Sequence, residues 1–476
     1  MLYAADAGDS AGAVASGDFN GDGAVDVVVA AALADGPGNE RVDGGEAYVF
    51  LGPFTPGEAR DAAAGDQALR VYGADAGDQL GRSAAAGDFN GDGIDDLVLG
   101  APFGDGPAGD RQDSGEVHVV LGSPALTGAH EMVDLQSAGG LAVYGRAPGE
   151  LAGFSVAVAN LNGDEARDIV IGAFSASGPA PDRTLAGAVY AVFGTSEVIP
   201  AVDVADDEQD VIVYGASPEG RLGEEVSAGD VNGDGLDDLI LPAPFAPGAA
   251  GIEAAGRTYV ISSPPPPSAD LASGGANAII YGVDDGDQLG HVVATGDVDG
   301  DALADVLLTA VSADGPENSV DLAGEAVLVY GASLGAQVDI AQGAGDAVIY
   351  GADETDRLGR SAALADIDGD GLADLLGGAP GGAGPDEATA AAGELYVIFA
   401  DELSRSLRLP EGAIVHYGTD AGDSLASEVF GRRPLTAADV NGDGRNEIIV
   451  VAPQADGPED VRLDSGEAYV LFPSPR

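Results

Sequence analysis

Asp88, Asn90, Asp92 and Asp96 place side-chain oxygens at positions 1, 3, 5 and 9 of one short loop, with Gly91 and Gly93 between them. A hard cation such as calcium is wrapped by this alternation of oxygen ligands, with the position-7 carbonyl completing the set. The loop recurs seven times, beginning at Asp18, Asp88, Asn160, Asp230, Asp297, Asp366 and Asp439. The candidate ligand sets are Asp18, Asn20, Asp22, Ala24 and Asp26; Asp88, Asn90, Asp92, Ile94 and Asp96; and Asn160, Asn162, Asp164, Ala166 and Asp168. They continue with Asp230, Asn232, Asp234, Leu236 and Asp238; Asp297, Asp299, Asp301, Leu303 and Asp305; Asp366, Asp368, Asp370, Leu372 and Asp374; and Asp439, Asn441, Asp443, Arg445 and Glu447.

Position 4 is Gly in every copy, as a chain turning around an ion requires a left-handed residue. Position 7 offers only its carbonyl, so Ala, Ile, Leu and Arg are all accommodated there. A single Asp/Asn/Gly cluster is commonly a plain turn. Seven in phase favour up to seven calcium ions. The third loop is expected to bind weakest, because Asn160 replaces Asp and Glu165 replaces Gly; Ala302 makes the fifth a milder case. The helix-flanked calcium loop needs an acid at position 12, where this chain has Val29, Leu99, Ile171, Leu241, Leu308, Gly377 and Val450. Nonapeptide calcium rolls would repeat far more often.

Strands must hold these loops. Leu80 to Ala86 leads into the second loop, Asp96 to Ala101 is an apolar run after it, and Glu116 to Leu121 is a third strand. Leu141 to Gly145 is a fourth, repeated as Val71-Tyr72-Gly73, Val213-Tyr214-Gly215, Ile280-Tyr281-Gly282, Ile349-Tyr350-Gly351 and His416-Tyr417-Gly418. The pattern predicts an all-β, seven-bladed β-propeller of four-stranded antiparallel blades filling residues 1–476 as one domain. The expected blades are 11–73, 80–145, 152–215, 222–282, 289–351, 358–418 and 430–476, the last completed by an N-terminal strand over 1–4. So short a closing strand predicts further residues upstream of Met1.

Composition narrows the partners. The formal charge is −62, all 19 basic residues are Arg, and there is no Cys. Nucleic acid and anionic lipid are therefore disfavoured partners, and thiolate metal sites and disulfides are excluded. Adaptation to salt is a second source of such acidity. No apolar run is long enough for a membrane helix, and no signal peptide opens the chain.

Leu80-Gly81, Leu222-Gly223, Leu289-Gly290, Leu358-Gly359 and Phe430-Gly431 precede the acidic loops, and Gly100-Ala101-Pro102 and Gly378-Ala379-Pro380 follow them. In this the chain resembles the FG-GAP repeat family, including integrin α-chain heads and their prokaryotic counterparts. The resemblance implies a calcium-stabilised propeller with an extracellular or cell-surface adhesion or recognition role. A monomeric propeller binding a protein or glycan ligand is the corresponding expectation.

Strand alternation places the calcium loops on one face. The opposite face carries Asp35-Gly36-Pro37, Asp105-Gly106-Pro107, Asp314-Gly315-Pro316 and Asp456-Gly457-Pro458, with Arg41, Arg111, Arg183 and Arg462 in four blades. These Arg are either a binding rim or, the favoured reading, partners of nearby Asp. The four His residues are scattered over three repeats, and no carboxylate pair stands out. The leading expectation is a non-enzymatic protein-binding module acting through this face. A lectin-like module, weakened by the absence of Trp, and a fragment of a secreted hydrolase or lyase are the alternatives.

Overall fold

In the computed structural model, residues 1–476 are described except 129–130, 139–140, 180–181, 197–200, 385–388, 390, 404, 419, 421, 428–432, 457–461 and 474–476. Phe430-Gly431, Gly457-Pro458 and His130 lie outside the described residues.

Seven β-sheets follow one another along the chain and form a seven-bladed β-propeller. Blade 2 illustrates the build. Its innermost strand, Ser83–Gly87, pairs antiparallel with Asp96–Ala101, which pairs with Glu116–Val120, which pairs with Leu141–Tyr144. The second strands are apolar after their opening acid and buried throughout, as strands covered on both faces by neighbouring blades must be. Tyr48, Tyr190, Tyr259 and Tyr396, from the third strands, are the largest side chains in the core.

The first strand of blade 2 begins at Ser83 rather than Leu80, because Leu80-Gly81 is a wedge between blades. Leu80 is fully buried and bridges Gly45 of blade 1. Gly81 has φ +84°, and a Cβ there would stand 2.8 Å from the Cβ of Ala30. The repeated Leu-Gly pair thus sets how closely two blades approach.

The blades are not simply four-stranded. Among the described residues, six of the seven sheets carry a fifth, parallel strand. It comes from the third-to-fourth connection of the next blade, which runs down the outer edge of the preceding one. Glu131–Asp134 covers Leu69–Tyr72, Ala201–Asp203 covers Leu141–Tyr144, and Ser268–Asp270 covers Val211–Tyr214. Val338–Asp339 and Ser406–Arg408 cover the edges of blades 4 and 5. At the ends of the chain, Leu2–Tyr3 pairs antiparallel with Ala468 and Glu467, and Arg60–Asp61 adds parallel to Leu2–Tyr3. These clasps are two to four residues long, too short to show a period of their own.

Candidate functional site

The acidic loops join the first and second strands of each blade, and one set of backbone bonds shapes them. In all seven the position-5 carboxylate accepts the position-7 amide, as Asp92 accepts from Ile94 at 3.0 Å. The position-1 side chain accepts amides from positions 4 to 6: Asp366 takes those of Gly369, Asp370 and Gly371 at 2.7, 3.1 and 2.9 Å. Ala302 takes φ +70° and donates to Asp297 at 2.9 Å, so the fifth loop keeps this geometry without glycine. In the third loop the position-1 side chain, Asn160, accepts from Gly163.

The position-9 acids lie beneath the loops and are buried almost completely. Asp26 accepts from Phe19 N–H at 3.0 Å and Gly52 N–H at 2.7 Å, tying its loop to the far end of the third strand. Burial pushes Asp26 and Glu447 up to about 7, and Asp96, Asp168, Asp238, Asp305 and Asp374 up to about 6, against the opposing pull of backbone amides. A cation above such a carboxylate would hold it ionised. The loops are themselves linked: the position-8 amide of one donates to the position-1 carbonyl of the loop before it, as Asp95 does to Asp18 at 3.1 Å and Ala373 to Asp297 at 2.7 Å.

Whether these residues fit a cation can be tested on their oxygens. In the fifth and sixth loops, ligand oxygens of Asp297, Asp299 and Asp305, and of Asp366, Asp368 and Asp374, lie within 4.8 Å of one another. Three carboxylates so close stay ionised together only with compensating positive charge. Where position 3 is Asn, its amide supplies some of it: Asn20 donates to Asp22 at 3.0 Å, and Asn232 to Asp238 at 2.8 Å. The donor set therefore fits a hard divalent cation, most sharply in loops five and six.

On the opposite face the Arg residues are committed internally. Arg111 donates to Asp203 of the next blade through both Nη atoms at 2.7 Å, and to the Gly145 carbonyl that ends its own fourth strand at 2.7 Å. Arg183 holds Asp270 and Gly215, Arg41 holds Asp134 and Gly73, and Arg462 holds Asp61 and Ala4 in the same way. The partner is thus an Asp, but one of the neighbouring clasp rather than of the same loop. Asp35, Asp105, Asp314 and Asp456 each accept an amide eight residues on, at 2.9–3.0 Å, and so shape their own connections. The Glu that begins the third strand serves the blade too: Glu46 accepts from Tyr48 at 2.7 Å and Glu467 from Tyr469 at 2.6 Å.

One group of unlike residues does converge, and reading the repeats singly missed it. The first strands line an axial cavity of about 310 Å³, and its wall includes Glu224, Glu225, His291, Arg360 and Arg433. They stand at the starts of the first strands of blades 4 to 7, toward the face opposite the acidic loops. Arg433 crosses the axis from blade 7 to blade 4, donating to the Val226 carbonyl and pairing with Glu225. Arg360 Nη1 lies 3.5 Å from His291 Nε2. Aligning the Leu-Gly elements and comparing the next one or two residues across blades would have exposed the group. Glu224-Glu225 is the carboxylate pair that breaks the repeat.

Fold and loops together define a repeat propeller with an acidic loop in every blade, two of which gather three carboxylates. FG-GAP repeat models match residues 80–120, 222–261, 358–398 and 430–471. The chain carries FG-GAP repeats and is homologous to integrin alpha chains: it is 33% identical over 195 residues to integrin alpha pat-2 of Caenorhabditis elegans, covering 39% of this chain and 14% of that one. It is equally 33% identical over 176 residues to phosphatidylinositol-glycan-specific phospholipase D of Bos taurus, covering 36% of this chain and 19% of the relative. The chain thus spans less than a fifth of these relatives' length. Among solved structures, the exotype rhamnogalacturonan lyase YesX superposes with TM-score 0.47 at 13% identity, over 97% of this chain and 72% of that one.

Proposed function

We propose that the chain is a calcium-stabilised recognition module of the cell surface or extracellular space, binding a protein partner through the face opposite the calcium loops. Calcium would be held by the position 1, 3, 5 and 9 side chains and the position-7 carbonyl. Its role is to neutralise and rigidify each first-to-second strand turn. The relation to integrin alpha chains supports an adhesive role.

The observation that carries the choice of face is the pair of exposed apolar residues it presents on adjacent blades. Val42 and Leu463 are 58% and 64% exposed at the tips of opposite-face connections in adjacent blades 1 and 7, and Leu185 is 41% exposed in blade 3. Their backbones are fixed: Val42 O accepts from Gly77 and Leu463 O from Gly8, both at 2.9 Å. Exposed apolar side chains on a rigid backbone suit a protein contact. The axial group favours a second reading, in which Glu224, Glu225, His291, Arg360 and Arg433 handle a small polar ligand or a bond to be cleaved.

Beads coated with the protein, assayed against arrays of purified surface proteins and of glycans, separate the readings. Protein binding that Val42→Asp with Leu463→Asp abolishes supports the first. Turnover of a polysaccharide or phosphodiester, lost in Arg433→Ala, would replace it with the second.

A further inference from the structure

Among the described residues, five clasps end in Asp, and four of these Asp residues hold an Arg in one way. Oδ1 caps the turn that follows: Asp61 accepts from Ala63 N–H, Asp134 from Gln136, Asp203 from Ala205 and Asp270 from Ala272, at 2.9–3.2 Å. Oδ2 takes a guanidinium: Arg462, Arg41, Arg111 and Arg183 each place Nη2 2.6–2.9 Å from it. Asp339 closes the clasp on blade 4 and repeats the first half of this pattern, accepting from Ala341 N–H through Oδ1 at 3.1 Å. Blade 4 has no Arg at the matching place. Where Arg183 O accepts from Gly178 N–H in blade 3, Ile252 O accepts from Gly248 N–H in blade 4, so an aliphatic side chain stands in the Arg position. Oδ2 of Asp339 instead takes the amide of Gln342, an exposed side chain, at 2.7 Å.

A cavity of about 430 Å³ opens beside Asp339, walled by Ala249 and Ala250 on one side and by Tyr281, Gln337 and Gln342 on the other. It lies between the second-to-third connection of blade 4 and the clasp, on the face opposite the acidic loops. Arg257 shares the wall, over the Tyr281 ring at 5.3 Å. Blade 1 shows that two guanidinium groups coexist in such a place: Arg70 lies over the Tyr72 ring at 5.0 Å while Arg41 holds Asp134. The Gly282 carbonyl, whose counterparts at Gly73, Gly145 and Gly215 also accept from the Arg, lies 3.0 Å from where a Cβ on Gly248 would stand. Gly248 thus covers that carbonyl, and Asp339 is the principal acceptor.

We propose that this cavity is a socket for the guanidinium of an Arg side chain presented by a protein partner. The chain supplies its own template, because four sister blades fill the corresponding place with an Arg of their own. A planar guanidinium matches a carboxylate with two parallel hydrogen bonds, whereas an ammonium meets it as a point charge. The neutral Gln342 amide on Oδ2 is the group an incoming guanidinium displaces. A formal charge of −62 draws a basic segment toward the surface, and the socket then selects among its side chains. The inference rests on the reading of this face as protein-binding for the source of the Arg, and on the sister blades for the chemistry.

Acetyl-arginine amide is the probe, titrated into the intact protein at physiological ionic strength and followed by the Gln342 side-chain amide resonance. A saturable shift is expected, with acetyl-lysine amide about tenfold weaker. Asp339→Asn should lose the response and still fold, since the Asn oxygen can accept from Ala341 N–H. Val42→Asp with Leu463→Asp should take up the probe as the parent does, which separates failure of the socket from failure of the wider protein-binding reading. No shift in the folded protein, an equal response to both probes, or a response kept in Asp339→Asn would overturn the proposal. Tighter binding of free arginine than of the blocked form would also overturn it, assigning the cavity to a free amino acid.

Discussion

Arg183 Nη2 stands 2.7 Å from Asp270 Oδ2, joining residues 87 positions apart in sequence and one blade apart in space. The Arg side chain is 9% exposed and the Asp 31%. Hydrogen bonding to the guanidinium holds the Asp270 carboxyl below its ordinary value and raises the guanidinium. Such bonds make the propeller a ring of clasped blades rather than a stack of independent sheets.

Arg183→Ala is expected to cost roughly 2–4 kcal/mol, the range for breaking a largely buried, hydrogen-bonded ion pair. Asp270→Ala should cost at least as much, because it leaves the more buried guanidinium without its carboxylate. Thermal unfolding of the singles and the double variant checks this. The double variant should fall short of the summed losses, whereas simple additivity would show that the two side chains act separately.

Gly81→Ala tests the interblade wedge. It places a methyl group 2.8 Å from Ala30 and asks an L-residue to hold φ +84°. A loss of about 2–3 kcal/mol follows, combining left-handed strain with overpacking. Gly93→Ala, at φ +87° but with nothing within 4 Å of the added Cβ, should show the strain alone and cost less.

Acid stabilisation is expected when calcium is removed. Burial pushes Asp9, Asp78 and Glu325 up to about 7 and Asp287 to about 6, alongside the position-9 acids of the loops. A carboxyl whose pKa is higher folded than unfolded binds more protons in the native state. Its favourable contribution is complete below the unfolded pKa and is lost as pH rises through the folded pKa, here across about 4 to 7. In chelator, the melting temperature should be higher at pH 5 than at pH 8. Calcium should shrink the difference, since it favours the ionised loops. Equal midpoints in chelator would contradict the assignment.

The loops should not be equal. Loops five and six, with three facing carboxylates, are expected to bind calcium most tightly, and loop three most weakly. Titration calorimetry should resolve classes of sites, with Asp368→Ala removing one tight ion and Asn160→Asp strengthening the weakest. Seven equivalent sites would refute the ranking.

The seven acidic loops and the four antiparallel strands of a blade were legible because each repeats a local chemical pattern: oxygen alternation, an apolar run, a Tyr-Gly ending. The clasp was not. A segment such as Val338–Asp339 is two residues long, and its partner lies in another blade. The Arg residues were recognised as partners of Asp, but which Asp depended on that unseen strand. The axial group escaped for the opposite reason. Glu225, His291, Arg360 and Arg433 occupy comparable places in successive repeats but differ in type, and only closure of the ring brings Arg433 against Glu225.

The central claim, that calcium in the loops holds the propeller together, is tested most directly by calorimetric unfolding at neutral pH in millimolar calcium and in excess chelator. A midpoint many degrees higher in calcium, rising further with calcium concentration, is predicted, because an ion bound only by the native state stabilises it by mass action. An unchanged midpoint would contradict the account and leave the loops as acidic turns.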